Sequence, residues 1–189
     1  MSEEGMIRKG ALFALPLALA ACGQQEGADG EKAADSAPLE ASLADAKIVV
    51  DANGVGAKGD PMRFGTLRTD VDHTLESAFG SAPNTTRNDE CGAGPMEFSQ
   101  FGPLQVGYQD DKLAGWFLGK GQGVVTSDGV APGVTSLESL KLERQVQQLD
   151  TTLDGEFQYT SADYGTITGF ADPDGTITGL AAGVTCFFR

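Results

Sequence analysis

The sequence predicts an α+β fold of two consecutive halves, each a helix followed by a β-meander, forming an antiparallel sheet with the helices on one face. Three observations predict it. Apolar residues recur at helical spacing ahead of a series of short strand-like runs, and that order occurs twice. Each half also opens on a glycine placed just before a polar helix start, Gly65-Thr66-Leu67-Arg68 and Gly133-Val134-Thr135-Ser136.

The folded part is expected to begin near Lys47, with halves at about 47–126 and 127–189. Ile48-Val49-Val50 is a short β-rich run, and Asp51-Ala52-Asn53-Gly54 supplies a turn. The stretch 68–79 reads as a helix, with Thr69 or Asp70 as N-cap, Val71, Leu75 and Phe79 on one face, and Gly80 as its stop. Residues 83–89 read as a loop. Strands are expected at 97–99, 104–108, 113–118 and 123–126, with a hairpin connection at Gln109-Asp110-Asp111-Lys112.

In the second half, Thr135-Ser136-Leu137-Glu138 has the form of a capping box, and Leu137, Leu140, Val146 and Leu149 suit a second amphipathic helix. Strands are expected again at 156–159, 165–170, 175–180 and 184–188. Gly-Thr-Ile-Thr-Gly occurs twice, ten residues apart, around Asp172-Pro173-Asp174-Gly175, which marks a hairpin.

The chain of 189 residues carries 13 basic against 27 acidic residues, a formal charge of -14. Such a surface repels phosphate backbones, so nucleic acid is not an expected partner. Ahead of the domain, Ile7-Arg8-Lys9 precedes an apolar run from Gly10 to Ala21. A helix crossing a bilayer needs about 20 apolar residues, so this shorter run, interrupted by Pro16, reads as a signal-peptide core. Glu3 and Glu4 sit where a basic region belongs, which puts the expected start of translation at Met6. Residues 23–46 are Gly, Ala, Gln, Glu, Asp and Ser with few large apolar side chains, the composition of a disordered tether.

Leu19-Ala20-Ala21-Cys22 resembles the lipobox of bacterial lipoproteins. The resemblance covers the N-terminus alone and implies removal of 1–21, acylation of Cys22 and attachment to a membrane through it. Two acyl chains give stable anchoring where one gives only reversible binding. By the same resemblance, Gly23 after the cysteine implies the outer membrane, facing the periplasm. The alternative is an ordinary signal peptide that leaves Cys22 as a free thiol. With Cys22 lipidated, Cys91 and Cys186 are the remaining thiols and are expected to form one disulfide. The tandem layout resembles the repeated helix-plus-sheet units of β-lactamase inhibitor proteins and of small outer-membrane lipoproteins of the assembly machinery; this implies binding without catalysis.

Candidate chemistry is sparse. His73 falls off the apolar face of the first helix and reads as a surface residue, and one histidine gives no zinc set. Gly54-Val55-Gly56-Ala57-Lys58-Gly59 fits G-x-G-x-x-G, but Asp60-Pro61 breaks any helix after it, so a flexible loop is expected and no cofactor. Asp172, Asp174 and Asp163 read as turn residues rather than Ca²⁺ ligands, so no metal is expected. No catalytic residue is nominated. The acidic, Gly-rich loop 88–95 is the most unusual local sequence, and Asp89 and Glu90, with Trp116 and Phe117 as apolar anchors, are the candidates for binding an envelope protein partner. Trp116 has the competing role of a core residue. The function these features imply is a membrane-anchored envelope lipoprotein with a non-catalytic binding or structural module. The alternative is a periplasmic hydrolase using Asp/Glu chemistry.

Overall fold

Burial alternates along the central strands, and that alternation sets the architecture. In the computed structural model, which describes residues 43–58 and 60–187, the chain runs through β1 (Ile48–Asp51), β2 (Gly54–Ala57), β3 (Asp60–Arg63), α1 (Arg68–Phe79), β4 (Asn84–Asn88), β5 (Met96–Phe101), β6 (Leu104–Gln109) and β7 (Lys112–Gly119). It continues through β8 (Val124–Thr126), α2 (Leu137–Glu143), β9 (Val146–Gln148), β10 (Glu156–Thr160), β11 (Thr166–Ala171) and β12 (Ile177–Gly183). The expected signal peptide, the expected start at Met6, Cys22 and the expected tether up to residue 42 lie outside the described residues, as do Gly59, Phe188 and Arg189.

The fold is α+β, with two sheets. An eight-stranded antiparallel sheet has the order β4-β5-β6-β7-β12-β11-β10-β9. It is two four-stranded meanders, one after each helix, joined through β7 and β12. The second sheet, β3-β2-β1-β8, contains the parallel pair β1 and β8.

β6 buries Leu104, Val106 and Tyr108, β7 buries Leu113, Trp116 and Leu118, and β10 buries Phe157 and Tyr159. These side chains share one core with Ile48, Val50 and Val55 of the small sheet, Val71 and Leu75 of α1, and Leu137 and Leu140 of α2. Polar contacts cross the same layer: the Trp116 indole N–H donates to the Asp51 carbonyl (2.8 Å), and the Tyr108 hydroxyl donates to Asp72 on α1 (2.6 Å).

α1 matches its expected span, and Gly80 ends it in the left-handed conformation (φ 74), donating to the Glu76 carbonyl. Its N-cap is Leu67, without a side-chain cap, so Thr69 and Asp70 lie inside the first turn.

Several expectations are corrected. Residues 84–88, read as loop, are β4, which pairs with β5 along its whole length. Gly54–Ala57, expected within a flexible glycine loop, are instead β2, paired with β3. A Cβ on Gly54 would lie 2.0 Å from the Met62 carbonyl oxygen, so glycine is there for close strand approach. The second helix stops at Glu143 and Val146 belongs to β9; its N-cap is Ser136, which accepts from the Ser139 amide (3.0 Å), while Thr135 accepts from Ala131. β8 leaves the large sheet for the small one. Residues 184–187 are not a strand; they form a tail that turns back over β7.

The Cys91–Cys186 disulfide is present, with Cα atoms 5.2 Å apart. It ties the β4–β5 loop to the tail after β12, rather than to the last strand itself.

Candidate binding face

Opposite the core, the large sheet presents a second face. Successive pairings align one residue from each strand into a row across it: Asn84, Gln100, Gln105, Phe117, Ala181, Thr168, Gln158 and Gln147. All but Ala181 are half-buried or exposed. None carries a charge, in a chain of formal charge -14, and five are carboxamides.

Half-buried phenylalanines stand along this row. Phe117 leans over Gly179, where a Cβ would come 2.8 Å from its ring. Phe187, brought back by the tail, meets Phe117 edge to face at 5.8 Å and Phe170 at 5.1 Å. The tail can cross here because Gly115 is bare. The Val184 amide donates to the Ala114 carbonyl (2.9 Å), and a Cβ on Gly115 would sit 2.2 Å from the Val184 carbonyl oxygen. The disulfide then fixes Cys186 and with it the position of Phe187.

Between the tail and β5 lies an open groove of about 500 Å³, lined by Phe98, Gln100, Gln105, Phe117, Cys186 and Phe187. Its walls are aromatic rings, glycines, Pro103, the tail from Val184 to Phe187 and two carboxamides. Such a surface can exclude water around an apolar group while its amides satisfy backbone polar groups of a partner.

The expected partner-binding residues separate. Phe117 lies on this face. Glu90 is exposed on the loop whose Cys91 is bonded to the tail. Asp89, on the same loop, is engaged by Arg87 (2.7 Å). Trp116 points the other way and is 1% exposed, a core residue whose indole spans to the small sheet. Phe98, Gln100, Gln105, Phe170 and Phe187 were not singled out from the sequence. The available signal was the alternation Leu104-Gln105-Val106-Gly107-Tyr108-Gln109, whose outward positions are uncharged where a solvated strand would carry Lys or Glu.

His73 is exposed on α1. Asp174 accepts from the Thr176 amide (2.9 Å) within the β11–β12 turn; that bond, followed by the Thr176 hydroxyl, holds its carboxyl below the usual range. Asp172 pairs with Lys120 (3.3 Å), and Asp163 accepts from Ser127 (2.6 Å). Four further carboxylates face arginines: Asp51 with Arg63, Asp72 and Glu97 with Arg68, and Asp128 with Arg144. Arg87 adds a second partner to Glu97, and the Arg68 guanidinium lies 5.1 Å from the Tyr108 ring centre. These are counter-ion arrangements that brace α1, β5 and the β8–α2 connection, and they differ from the facing carboxylate pair a hydrolase of that class uses.

No family model, curated protein or solved structure matches the chain.

Proposed function

We propose that this chain is a lipid-anchored, non-catalytic binding module of the cell envelope, and that it binds through the open face of the eight-stranded sheet. The observation that carries the reading is the uncharged row from Asn84 to Gln147, with Phe117 and Phe187 standing in it, in so acidic a chain. Charged residues are depleted and aromatic residues enriched at the centres of protein interfaces. The lipobox at Cys22 supports the anchor, and outer-membrane attachment facing the periplasm is part of the same proposal.

Two measurements test it. A photo-crosslinking residue placed at Gln105 in intact cells should capture a partner, and one placed at exposed His73 should not; the reverse pattern would sink the reading. The anchor is tested separately by mass. The mature protein should start at Cys22 and carry acyl chains, and Cys22→Ser should move it from the membrane to the soluble fraction.

A further inference from the structure

Resting on the open-face reading, the geometry points to the kind of partner: a protein segment with an apolar, uncharged tip and lysine or arginine on one flank. Three features combine. The first is extent. Eight strands at ~4.8 Å spacing make the row roughly 34 Å wide. That is wider than a drug-sized ligand, which sits in an enclosing pocket, and it suits the ~800 Å² per partner of an ordinary protein interface.

The second is the centre. Phe98, Phe117 and Phe187 rim the groove, and the polar side chains among them are the amides of Gln100 and Gln105 and the hydroxyl of Thr185, none of them charged. A charged side chain entering there would lose water and find no counter-ion, at a cost of several kcal/mol. The tip of the partner is therefore apolar, and its backbone groups have the two carboxamides for hydrogen bonding.

The third is the charge at one end. The β6–β7 turn and the loop 89–95 lie together, because the Gln109 side chain donates to the Ala93 carbonyl (2.7 Å). The same loop is bonded through Cys91 to Cys186 in the groove wall. Glu90, Asp110 and Asp111 are exposed at this end, and none is in an ion pair among the described residues. Two exposed bases stand at this end: Lys112, and Arg87, which lines a cleft with Asp110 and Asp111 but is already paired with Asp89 and Glu97. The other acid of the loop, Asp89, is already matched by Arg87. A cationic flank placed over this end would be drawn in from a distance and would fix the direction in which the segment lies.

The test is selection of random twelve-residue displayed peptides on the full chain with its disulfide intact, followed by affinity measurements on the enriched peptides. The expected peptides carry a run of apolar residues next to Lys or Arg. Their binding should fall at least tenfold with Phe117→Gln or with Gln105→Arg, a second variant that spares the packing of Phe187. It should fall about tenfold with Glu90→Gln, Asp110→Asn and Asp111→Asn combined at low salt, and that difference should shrink in 0.5 M salt. Asn tolerates the left-handed backbone that Asp110 and Asp111 adopt (φ 49 and 56), so the triple variant keeps the turn.

Peptides that need Phe117 but ignore the acidic triple variant would overturn the cationic flank and leave the open-face reading standing. Peptides indifferent to both Phe117→Gln and Gln105→Arg would overturn both. Enrichment of acidic peptides, or binding of neutral oligosaccharides at the groove in place of peptides, would overturn the partner class alone.

Discussion

Trp116 and Phe117 are neighbours in β7 and serve opposite faces of one sheet: the Trp116 indole donates to the Asp51 carbonyl at 2.8 Å across the core, while Phe117 packs on Phe187 at 5.8 Å on the open side. Period-two alternation makes this unavoidable. It also separates stability from binding. Trp116→Ala empties a fully buried site and strands the Asp51 carbonyl, so urea denaturation should show a loss of about 3–5 kcal/mol. Phe117→Gln, on a half-buried ring, should cost about 1 kcal/mol, and its main effect should fall on binding. Equal losses of stability from the two changes would contradict the assignment of faces.

The disulfide holds the tail to the β4–β5 loop across a sequence separation of 95. On the chain-entropy account, a loop of that size contributes up to roughly 4.5 kcal/mol by constraining the unfolded chain. Cys91→Ser with Cys186→Ser should lower the urea midpoint accordingly. It should also speed amide exchange at Val184, whose N–H donates to Ala114, well before exchange at core amides such as Leu118 accelerates. Exchange that rises together at both sites would mean that the tail is held by something other than the bridge.

The legible parts of the fold are those whose sequence signal is local. α1 was readable because Val71 and Leu75 recur on a buried face and Gly80 stops the helix. The central strands were readable because one face of each is buried. β4 was not, since Asn84-Thr85-Thr86-Arg87-Asn88 lies at the sheet edge with four of five residues exposed, and its order comes from backbone pairing to β5. β9 reads as helix in the sequence because Val146 continues the apolar spacing, whereas the chain leaves the helix at the extended Arg144, which pairs with Asp128. The parallel pairing of β1 with β8, across more than 70 residues of sequence, has no local signature at all. In the candidate site, Phe117 and Glu90 could be named from the sequence, but the row they belong to is a matter of register among distant strands, and Phe187 joins it only through the tail.

Asp128 and Arg144 lead to a third prediction. The Asp128 side chain is 1% exposed, and its Oδ1 accepts from the Arg144 Nη2 (2.9 Å), the Arg144 Nε (3.3 Å) and the Ala162 amide (2.9 Å). Removing the guanidinium would leave a buried carboxylate with one amide partner, a situation that costs about 3–5 kcal/mol. Arg144→Ala should therefore destabilise the protein by about that amount. Adding Asp128→Asn should recover part of the loss, because the neutral amide still accepts from Ala162 without burying a charge. A double variant less stable than Arg144→Ala would show that Asp128 matters chiefly through other contacts.

Alkaline pH should unfold the protein through two phenols. Tyr108 is 1% exposed, and its ionisation is pushed up first by burial and then by the hydrogen bond it donates to Asp72, whose negative charge also opposes a phenolate. Tyr159 is likewise 1% exposed and pushed up by burial and by the Asp128 carboxylate. In the unfolded chain a phenol ionises near pH ~10. The folded state thus holds these groups neutral more tightly than the unfolded state does. Their contribution is intact below about pH 10 and is lost as pH rises above it toward the folded values. A pH series of urea melts should be flat with respect to these two groups near neutrality and fall above about pH 10. Tyr108→Phe and Tyr159→Phe should each make that fall shallower, even though Tyr108→Phe lowers stability at neutral pH by removing the bond to Asp72. In a Tyr164→Phe background, tyrosinate absorbance should appear together with the loss of folded-state fluorescence from Trp116. Absorbance that develops fully while the fluorescence stays native would mean that both phenols reach solvent in the folded protein, against their burial in the core beside Asp72 and Asp128.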